Sequence, residues 1–348
     1  MNNLNGTHSV EKFIESALYD KNFGYYSKKN PFGKQGDFIT APLISPLFSE
    51  MILVWVISYW INLGRPKEFA LVELGPGNGS FCKTFCKNLK KFPSFENSVK
   101  IYLLERSETL TKIQKNSIKH KKVTWIKNLS QIKSGPILFF GNEFFDSIPI
   151  KQFEVKRSGV YEKFINFKND KFNKFILKKI SSKTAARLKK LGLLRKKGTI
   201  EYPQKGLKIL STIAKKIKKF DGGILLIDYG YTKAQGNNTL QSLKSHKKNI
   251  FYKNIGKADI TYLVNFELLN KFFSSHKFFL NKIVNQNFFL KKLGIIERAE
   301  ILSRNISFKE KADLYYRLER LLSEKKMGSI FKVLFAQKNK TKFNLGFK

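Results

Sequence analysis

The sequence predicts an α/β protein built on a mostly parallel sheet, and three observations carry that reading. From Glu68 onward, short flat apolar runs alternate with lysine-rich helical stretches. Each run is bounded by glycine or polar residues, as strands buried on both faces are. A glycine-rich turn, Gly75 to Gly79, joins the first run to a helix. The 348 residues are 42% hydrophobic, with 33 Phe, 13 Tyr and 3 Trp, which supplies a large core and excludes disorder. Single cores stop growing near roughly 250 to 300 residues, so the length suits one large domain with an insertion or two modest domains, and favours two.

In chain order, a helix is predicted near Val10 to Leu18, then a loop punctuated by Gly24, Pro31, Gly33, Gly36, Pro42 and Pro46. Residues 47–61 read as a helix; its apolar stretch, Met51 to Ile61, falls short of the about 20 residues a membrane span needs, so a buried helix and no membrane span are expected. Strands are predicted at Phe69 to Leu74, Lys100 to Leu104, Val123 to Ile126, Pro136 to Phe140 and Gly223 to Ile227, with two more at Phe278 to Val284 and Gly328 to Ala336. Between the fourth and fifth, the block from Lys151 to Pro203 reads as an insertion, with hairpin alternation over Gln152 to Phe167 and a basic helix around Lys183 to Lys197. Segment 307–324 repeats apolar residues at helical period through Phe308, Ala312, Tyr315, Tyr316, Leu318, Leu321 and Leu322. The division that follows is an N-terminal helical and lid region (1–66), the first part of an α/β domain (67–150), an inserted subdomain (151–203) and the second part of the α/β domain (204–348).

Sixty-six basic residues against 26 acidic give +40, a balance that invites a nucleic-acid reading. Only nine of the 66 are Arg, the residue suited to bidentate phosphate and base contacts, so the lysine excess reads as a solvated surface and nucleic acid is not favoured. Cys82 and Cys86 offer no disulfide framework, and His8, His120, His246 and His276 lack zinc-ligand spacing; no metal is expected. The N-terminus shows no charged stretch followed by an apolar run and cleavage site, so a cytoplasmic location is expected.

Chemistry concentrates at two strand tips. The run ending Glu73-Leu74 enters Gly75-Pro76-Gly77-Asn78-Gly79-Ser80, where glycines let backbone approach a ligand and expose a helix's first N–H groups. Ser80 at the sixth position and the stiffening Pro76 argue against a dinucleotide fingerprint. An acidic-G-x-G-x-G turn with a second acid at the next strand tip, here Glu105, is the arrangement methyltransferases of this sheet use, with the second acid accepting both ribose hydroxyls. The plainer alternative is a turn needed only for packing, with Glu105 a surface acid. At the fourth tip, Asn142-Glu143-Phe144-Phe145-Asp146 follows Ile137 to Phe140, and ligands of open α/β sheets lie beyond such tips. Glu143 is the stronger catalytic candidate; Asp146 stands equally for a catalytic group and for a helix cap. The loop from Tyr25 to Pro46 is a candidate lid, with Asp37 and Thr40 toward the cofactor; alternatively Asp37 orders the loop by bonding its own backbone.

Together these residues resemble the MidA-like class I S-adenosylmethionine-dependent methyltransferases, a family that includes the mitochondrial complex I assembly arginine methyltransferase. The likeness runs through Gly24-Tyr25-Tyr26, Gly36 to Pro42, Ile44 to Phe48, Glu73 to Gly79, Asn142 to Pro149 with Gln152-Phe153, Leu226 to Tyr231, Thr239 to Gln241 with His246, Ala258 to Thr261, Glu297 to Ala299 and Met327-Gly328 with Phe331-Lys332. It departs at Asn265, where the family usually has Asp, and at Asn285, where Thr is usual; both put the polar lining beyond the fifth strand in question. The resemblance implies a seven-stranded Rossmann-like sheet and S-adenosyl-L-methionine as methyl donor, bound through Glu73, Gly75, Gly77, Gly79, Glu105, Asn142, Asp37 and Thr40. It implies methylation of a protein arginine, with Glu143 and Asp146 catalytic, and a protein partner of the respiratory-complex type. An RNA methyltransferase and an S-adenosylmethionine-binding assembly factor with little catalysis are the competing readings.

Overall fold

The computed structural model describes residues 5–28, 31, 33, 40–194, 197–233, 236–244, 247–341 and 343–348. Asp37, Gly36 and His246 lie outside the described residues. The main sheet has a continuous path that places Val123–Ile126 at one edge, then Val99–Leu104, Phe69–Leu74, Ile137–Asn142, Gly222–Tyr231, Phe331–Gln337 and Phe279–Leu280. In chain order these are the first strand (Phe69–Leu74), second (Val99–Leu104), third (Val123–Ile126), fourth (Ile137–Asn142), fifth (Gly222–Tyr231), sixth (Phe279–Leu280) and seventh (Phe331–Gln337). The first five run parallel; the seventh lies antiparallel between the fifth and the sixth. Two-residue strands at Val264–Asn265 and Val284–Asn285 pair beside the fifth and seventh.

The α/β expectation follows from how neighbouring residues divide between the faces. In the first strand Ala70, Val72 and Leu74 pack into one apolar cluster, and Phe69 and Leu71 into the other. Ile137 and Phe139 separate from Leu138 and Phe140 in the same way, as the period-2 pleat requires. Helices Val10–Tyr19, Gln204–Phe220 and Phe266–Ser275 cover the first face; Pro46–Asn62, Ser80–Leu89 and Phe308–Leu322 cover the second. Helix Pro46–Asn62 starts at Ser45, whose side chain accepts from the Leu47 N–H, and Pro46 occupies the first turn, where a missing N–H costs nothing. Apolar around most of its circumference, it is buried almost throughout. None of the helices in the described residues is long and apolar enough to cross a membrane.

The block after the fourth strand forms an antiparallel sheet of Lys151–Lys156, Gly159–Lys168, Lys171–Lys179 and Gly198–Tyr202, joined by Gly6–Ser9 from the N-terminal region. Phe153, Ile165, Phe167, Ile200 and Tyr202 share the first face's core, so this sheet packs on the main domain without a core of its own. A third small sheet combines Gln241–Lys244, Lys247–Asn249 and Asp259–Thr261.

Three expectations need correction. The predicted strand Phe278 to Val284 is broken into Phe279–Leu280 and Val284–Asn285, because the intervening residues leave the ladder with the seventh strand. The predicted strand Gly328 to Ala336 begins only at Phe331; Met327–Ile330 is a helical turn, and a side chain on Gly328 would collide with the Leu322 carbonyl at 2.2 Å. Segment 307–324 is helical over Phe308–Leu322, capped by Ser307 and Glu310, yet Phe308 is 88% and Tyr316 60% exposed; the buried face is that of Leu318 and Leu321.

Candidate active site

At the carboxyl edge of the parallel strands opens a cavity of about 740 Å³. The glycine turn enters it from the first strand, with φ of 62° at Gly75, 57° at Gly77 and 82° at Gly79. This left-handed backbone favours glycine, and space enforces the same choice: a Cβ on Gly75 would sit 2.9 Å from Phe144 Cδ2 and one on Gly79 2.8 Å from Ile118 Cδ1. Glu73, Gly75, Gly77, Glu105, Asn142, Glu143, Asp146 and Thr40 all line the cavity; Gly79 lies behind the turn as the residue before helix Ser80–Leu89. Of the candidate site residues, only Asp37 falls outside the described residues.

Glu73 is buried at the end of the first strand, and burial pushes its carboxyl well above the usual carboxylate range, with Cys86 and Glu105 adding to the shift. Glu105 is raised by burial too, against the opposing hydrogen bonds from the Ser107 N–H at 2.8 Å and from Gln114 Nε2 at 3.2 Å. Helix Tyr25–Lys28 is pinned above it: Ser107 Oγ donates to the Tyr26 carbonyl and Thr109 Oγ1 to the Ser27 carbonyl, both at 2.7 Å. The N-terminal segment thus reaches the Glu105 side of the cavity.

Glu143 adopts φ 52°, unusual for a residue with a side chain, and its N–H donates to the Ile227 carbonyl at 2.9 Å. Its Oε1 accepts from Asn142 Nδ2 at 3.1 Å and from the Ala41 N–H at 3.4 Å. Burial, with Asp146 close by, lifts its pKa to about 8. Asp146 is raised to about 6 by burial, against the hydrogen bond that Tyr229 Oη donates to Oδ2. The helix-cap alternative for Asp146 has no counterpart in the structure, since no helix follows it before strand Lys151–Lys156.

The loop is held by Asp228, which sequence reasoning did not single out. Its Oδ2 accepts from the N–H groups of Phe145 at 2.9 Å and Asp146 at 3.3 Å, and its Oδ1 from the Tyr229 N–H at 2.9 Å. Tyr262 Oη completes the clamp by donating to the Phe145 carbonyl at 2.7 Å. Asp259, bonded by Tyr26 Oη at 3.1 Å, adds another acid to the cavity wall. The available signal was an acid at the end of the fifth apolar run. Asn265 is placed elsewhere: it caps helix Phe266–Ser275 by accepting from the Leu268 N–H at 3.0 Å and does not line this cavity. Asn285 accepts from Lys332 Nζ at 2.8 Å, also away from the cavity.

The cavity's chemistry is that of a cation site. Among the described residues the wall takes six of the chain's 26 acids, Glu15, Glu73, Glu105, Glu143, Asp146 and Asp259, but only four of its 66 bases. Glu73 Oε2, Asn142 Oδ1 and Asp146 Oδ1 are buried acceptors without a donor in the structure. Buried acceptors normally have partners, so these atoms and the glycine cradle fit a ligand with N–H and O–H donors and positive charge, as S-adenosyl-L-methionine has. Among the described residues, no group of three or more His, Cys, Asp and Glu is placed to hold a metal ion.

Residues 51–282 match a family described as S-adenosyl-L-methionine-dependent methyltransferases. The protein arginine methyltransferase NDUFAF7, mitochondrial, of Danio rerio is 27% identical over 349 residues, covering 94% of this chain and 82% of that protein. Its Caenorhabditis elegans homolog is 30% identical over 294 residues, covering 77% and 68%. The fold resembles that of a Burkholderia thailandensis protein solved with S-adenosyl-homocysteine bound, with a TM-score of 0.80 at 23% identity over 99% of this chain and 89% of that one. The relatives' names also overturn the cytoplasmic expectation: these arginine methyltransferases are named mitochondrial. A missing leader pattern is an absence in the sequence and cannot outweigh them.

Proposed function

The chain belongs to the MidA-like family of S-adenosyl-L-methionine-dependent methyltransferases, and we propose that the group it methylates is a protein arginine. One observation carries the proposal: Glu143 and Asp146 stand together at the fourth strand's tip, in the cavity that the glycine turn also lines. The relatives' names support the same substrate.

Bound S-adenosyl-L-methionine supplies an electrophilic methyl group. Glu73, Gly75, Gly77, Gly79, Glu105 and Asn142 are assigned to holding it, Glu105 through the ribose hydroxyls. Guanidinium stays protonated, with pKa above about 12, and its nitrogens share one delocalised charge. Glu143 and Asp146 are assigned to drawing that charge to one side, which returns lone-pair density to the nitrogen facing the methyl group. As the new N–C bond forms and the methyl–sulfur bond breaks to leave S-adenosylhomocysteine, that nitrogen's proton would pass to the carboxylate pair, in which Asp146, raised to about 6, is the ionised partner at neutral pH and Glu143, raised to about 8, ionises above it.

The segment from Tyr25 to Pro46 is assigned as the lid of a seven-stranded methyltransferase sheet, with Thr40 toward the cofactor; Tyr26, Thr40 and Pro42 in the cavity wall support this. The 151–203 block selects the substrate, a respiratory-complex subunit in keeping with the resemblance. Incubating the protein with methyl-labelled cofactor in a lysate lacking the endogenous enzyme, then locating the label, tests the proposal. Label on a protein arginine, lost with Glu143→Gln while cofactor binding survives, is expected; label on RNA or lysine overturns it.

A further inference from the structure

We propose that Gln114 is a positioning residue for the cofactor, a buried strut that holds the Glu105 carboxylate in register with the glycine turn. The proposal rests on the assignment of Glu105 to the ribose hydroxyls. Gln114 lies on helix Glu108–Ser117, fully buried and outside the cavity wall, so it acts on a ligand only through other residues.

Its side-chain amide meets three separate parts of the sheet's carboxyl edge. Nε2 donates to the Gly77 carbonyl at 2.7 Å and to Glu105 Oε2 at 3.2 Å, while Oε1 accepts from Trp125 Nε1 at 3.0 Å. The chemistry of the neighbours sets the amide's direction: an indole N–H only donates and a carbonyl only accepts, so oxygen must face Trp125 and nitrogen Gly77. Trp125 therefore orients Gln114, and Gln114 orients Glu105. The Ser107 N–H bonds Oε1 and Gln114 bonds Oε2, with the Arg106 backbone N–H also directed at the carboxylate; of its about four acceptor sites, capacity remains for a vicinal diol. The backbone of the turn is tied to the same amide. A Cβ on Gly79 would come within 3.3 Å of Gln114 Cγ, so the missing side chain there lets the strut reach Gly77. Glutamate at this position would keep the acceptor for Trp125, lose both donors and set a second carboxylate against Glu105.

The test uses S-adenosylhomocysteine and the full chain. Calorimetry on the wild type, Gln114→Met, Glu105→Gln and the double variant should show each single change weakening binding, by roughly ten- to hundredfold for a lost hydrogen bond to a charged group. The double variant should bind much as the weaker single one does, because both remove the same oriented carboxylate. A spectroscopic reading separates positioning from general stability. The chain's 3 Trp indoles have different acceptors, the Leu345 carbonyl for Trp55, the Pro66 carbonyl for Trp60 and Gln114 for Trp125. Saturating ligand should shift the indole N–H resonance of Trp125 and leave those of Trp55 and Trp60 in place. If Gln114→Met fails to fold, Trp125→Phe keeps an aromatic ring, removes the orienting donor and should weaken binding severalfold. Wild-type affinity in Gln114→Met or, where that variant is unfolded, in Trp125→Phe overturns the proposal, as does an unmoved Trp125 resonance or full additivity. Unchanged affinity in Glu105→Gln would instead overturn the ribose assignment, and the strut with it.

Discussion

At Glu143 burial and a neighbouring Asp146 combine to keep the acid protonated near neutral pH in the free protein. Because the substrate guanidinium does not titrate in this range, the pH dependence of kcat/KM reports the enzyme's own groups. The rate should therefore rise from pH 6 to 9, with a limb near the value of about 8 for Glu143. Glu143→Gln should lower the rate by roughly 100-fold or more and flatten that limb; a pH series of initial rates checks both. Tyr229→Phe removes the hydroxyl that donates to Asp146 and should cost roughly tenfold in kcat, with cofactor affinity by calorimetry unchanged. The acids at strand tips, Glu73, Glu105 and Glu143, were legible because a tip is marked by the end of its own apolar run. Asp228 also ends an apolar run, but its role as a clamp was not legible, since its partners lie 83 and 82 residues away; nor was Gln114, whose bond to Gly77 spans 37 residues, a separation no local pattern encodes.

At the scale of elements, the segment around helix Ala41–Ile44 links the N-terminal region to the loop of Glu143 and Asp146 through the Ala41 N–H and Glu143. Cofactor should slow amide exchange across residues 40–46 and leave helix Phe308–Leu322 unaffected; hydrogen exchange with and without S-adenosylhomocysteine checks this. The buried strands were readable in sequence because both faces are covered, which makes each run continuous and apolar. The sixth and seventh strands blurred because the sixth pairs through only Phe279 and Leu280. Helix Phe308–Leu322 had the right period, but its apolar stripe is wider than the face that packs, leaving Phe308 and Tyr316 in solvent. Gly6–Ser9 was missed because it is a short partner for a strand some 150 residues later, with Gly6 opposite Phe167.

Across the whole molecule, charge is unevenly distributed. Residues 171–258 hold 23 Lys and Arg against 3 Asp and Glu, a net +20 that is half of the chain's +40. This stretch includes the helix Gln204–Phe220 and the strand Gln241–Lys244, both of which contribute to the cavity wall. An arginine flanked by acidic residues should bind better than one flanked by lysines, and the advantage should fade by roughly tenfold in KM between 50 and 500 mM salt, which peptide kinetics can measure. The acids of the cavity also govern stability. A carboxyl whose folded pKa is raised stabilises the fold below its unfolded value of about 4.3 and loses that contribution as pH climbs through the folded value. With Glu143 at about 8 and Asp146 at about 6, the ligand-free protein should melt several degrees lower at pH 8.5 than at pH 5. Glu143→Gln should shrink that difference in a thermal scan.

The position of the seventh strand has a consequence during synthesis. The fifth strand ends at Tyr231, and its antiparallel neighbour begins only at Phe331. At about 5 to 20 residues per second on the ribosome, the intervening stretch takes roughly 5 to 20 s to emerge. For that interval the run Ile224 to Ile227 offers one unsatisfied ladder edge, apolar on both faces, to any other nascent chain on the same message. The pace of translation therefore sets how long each new copy is exposed to a wrong partner.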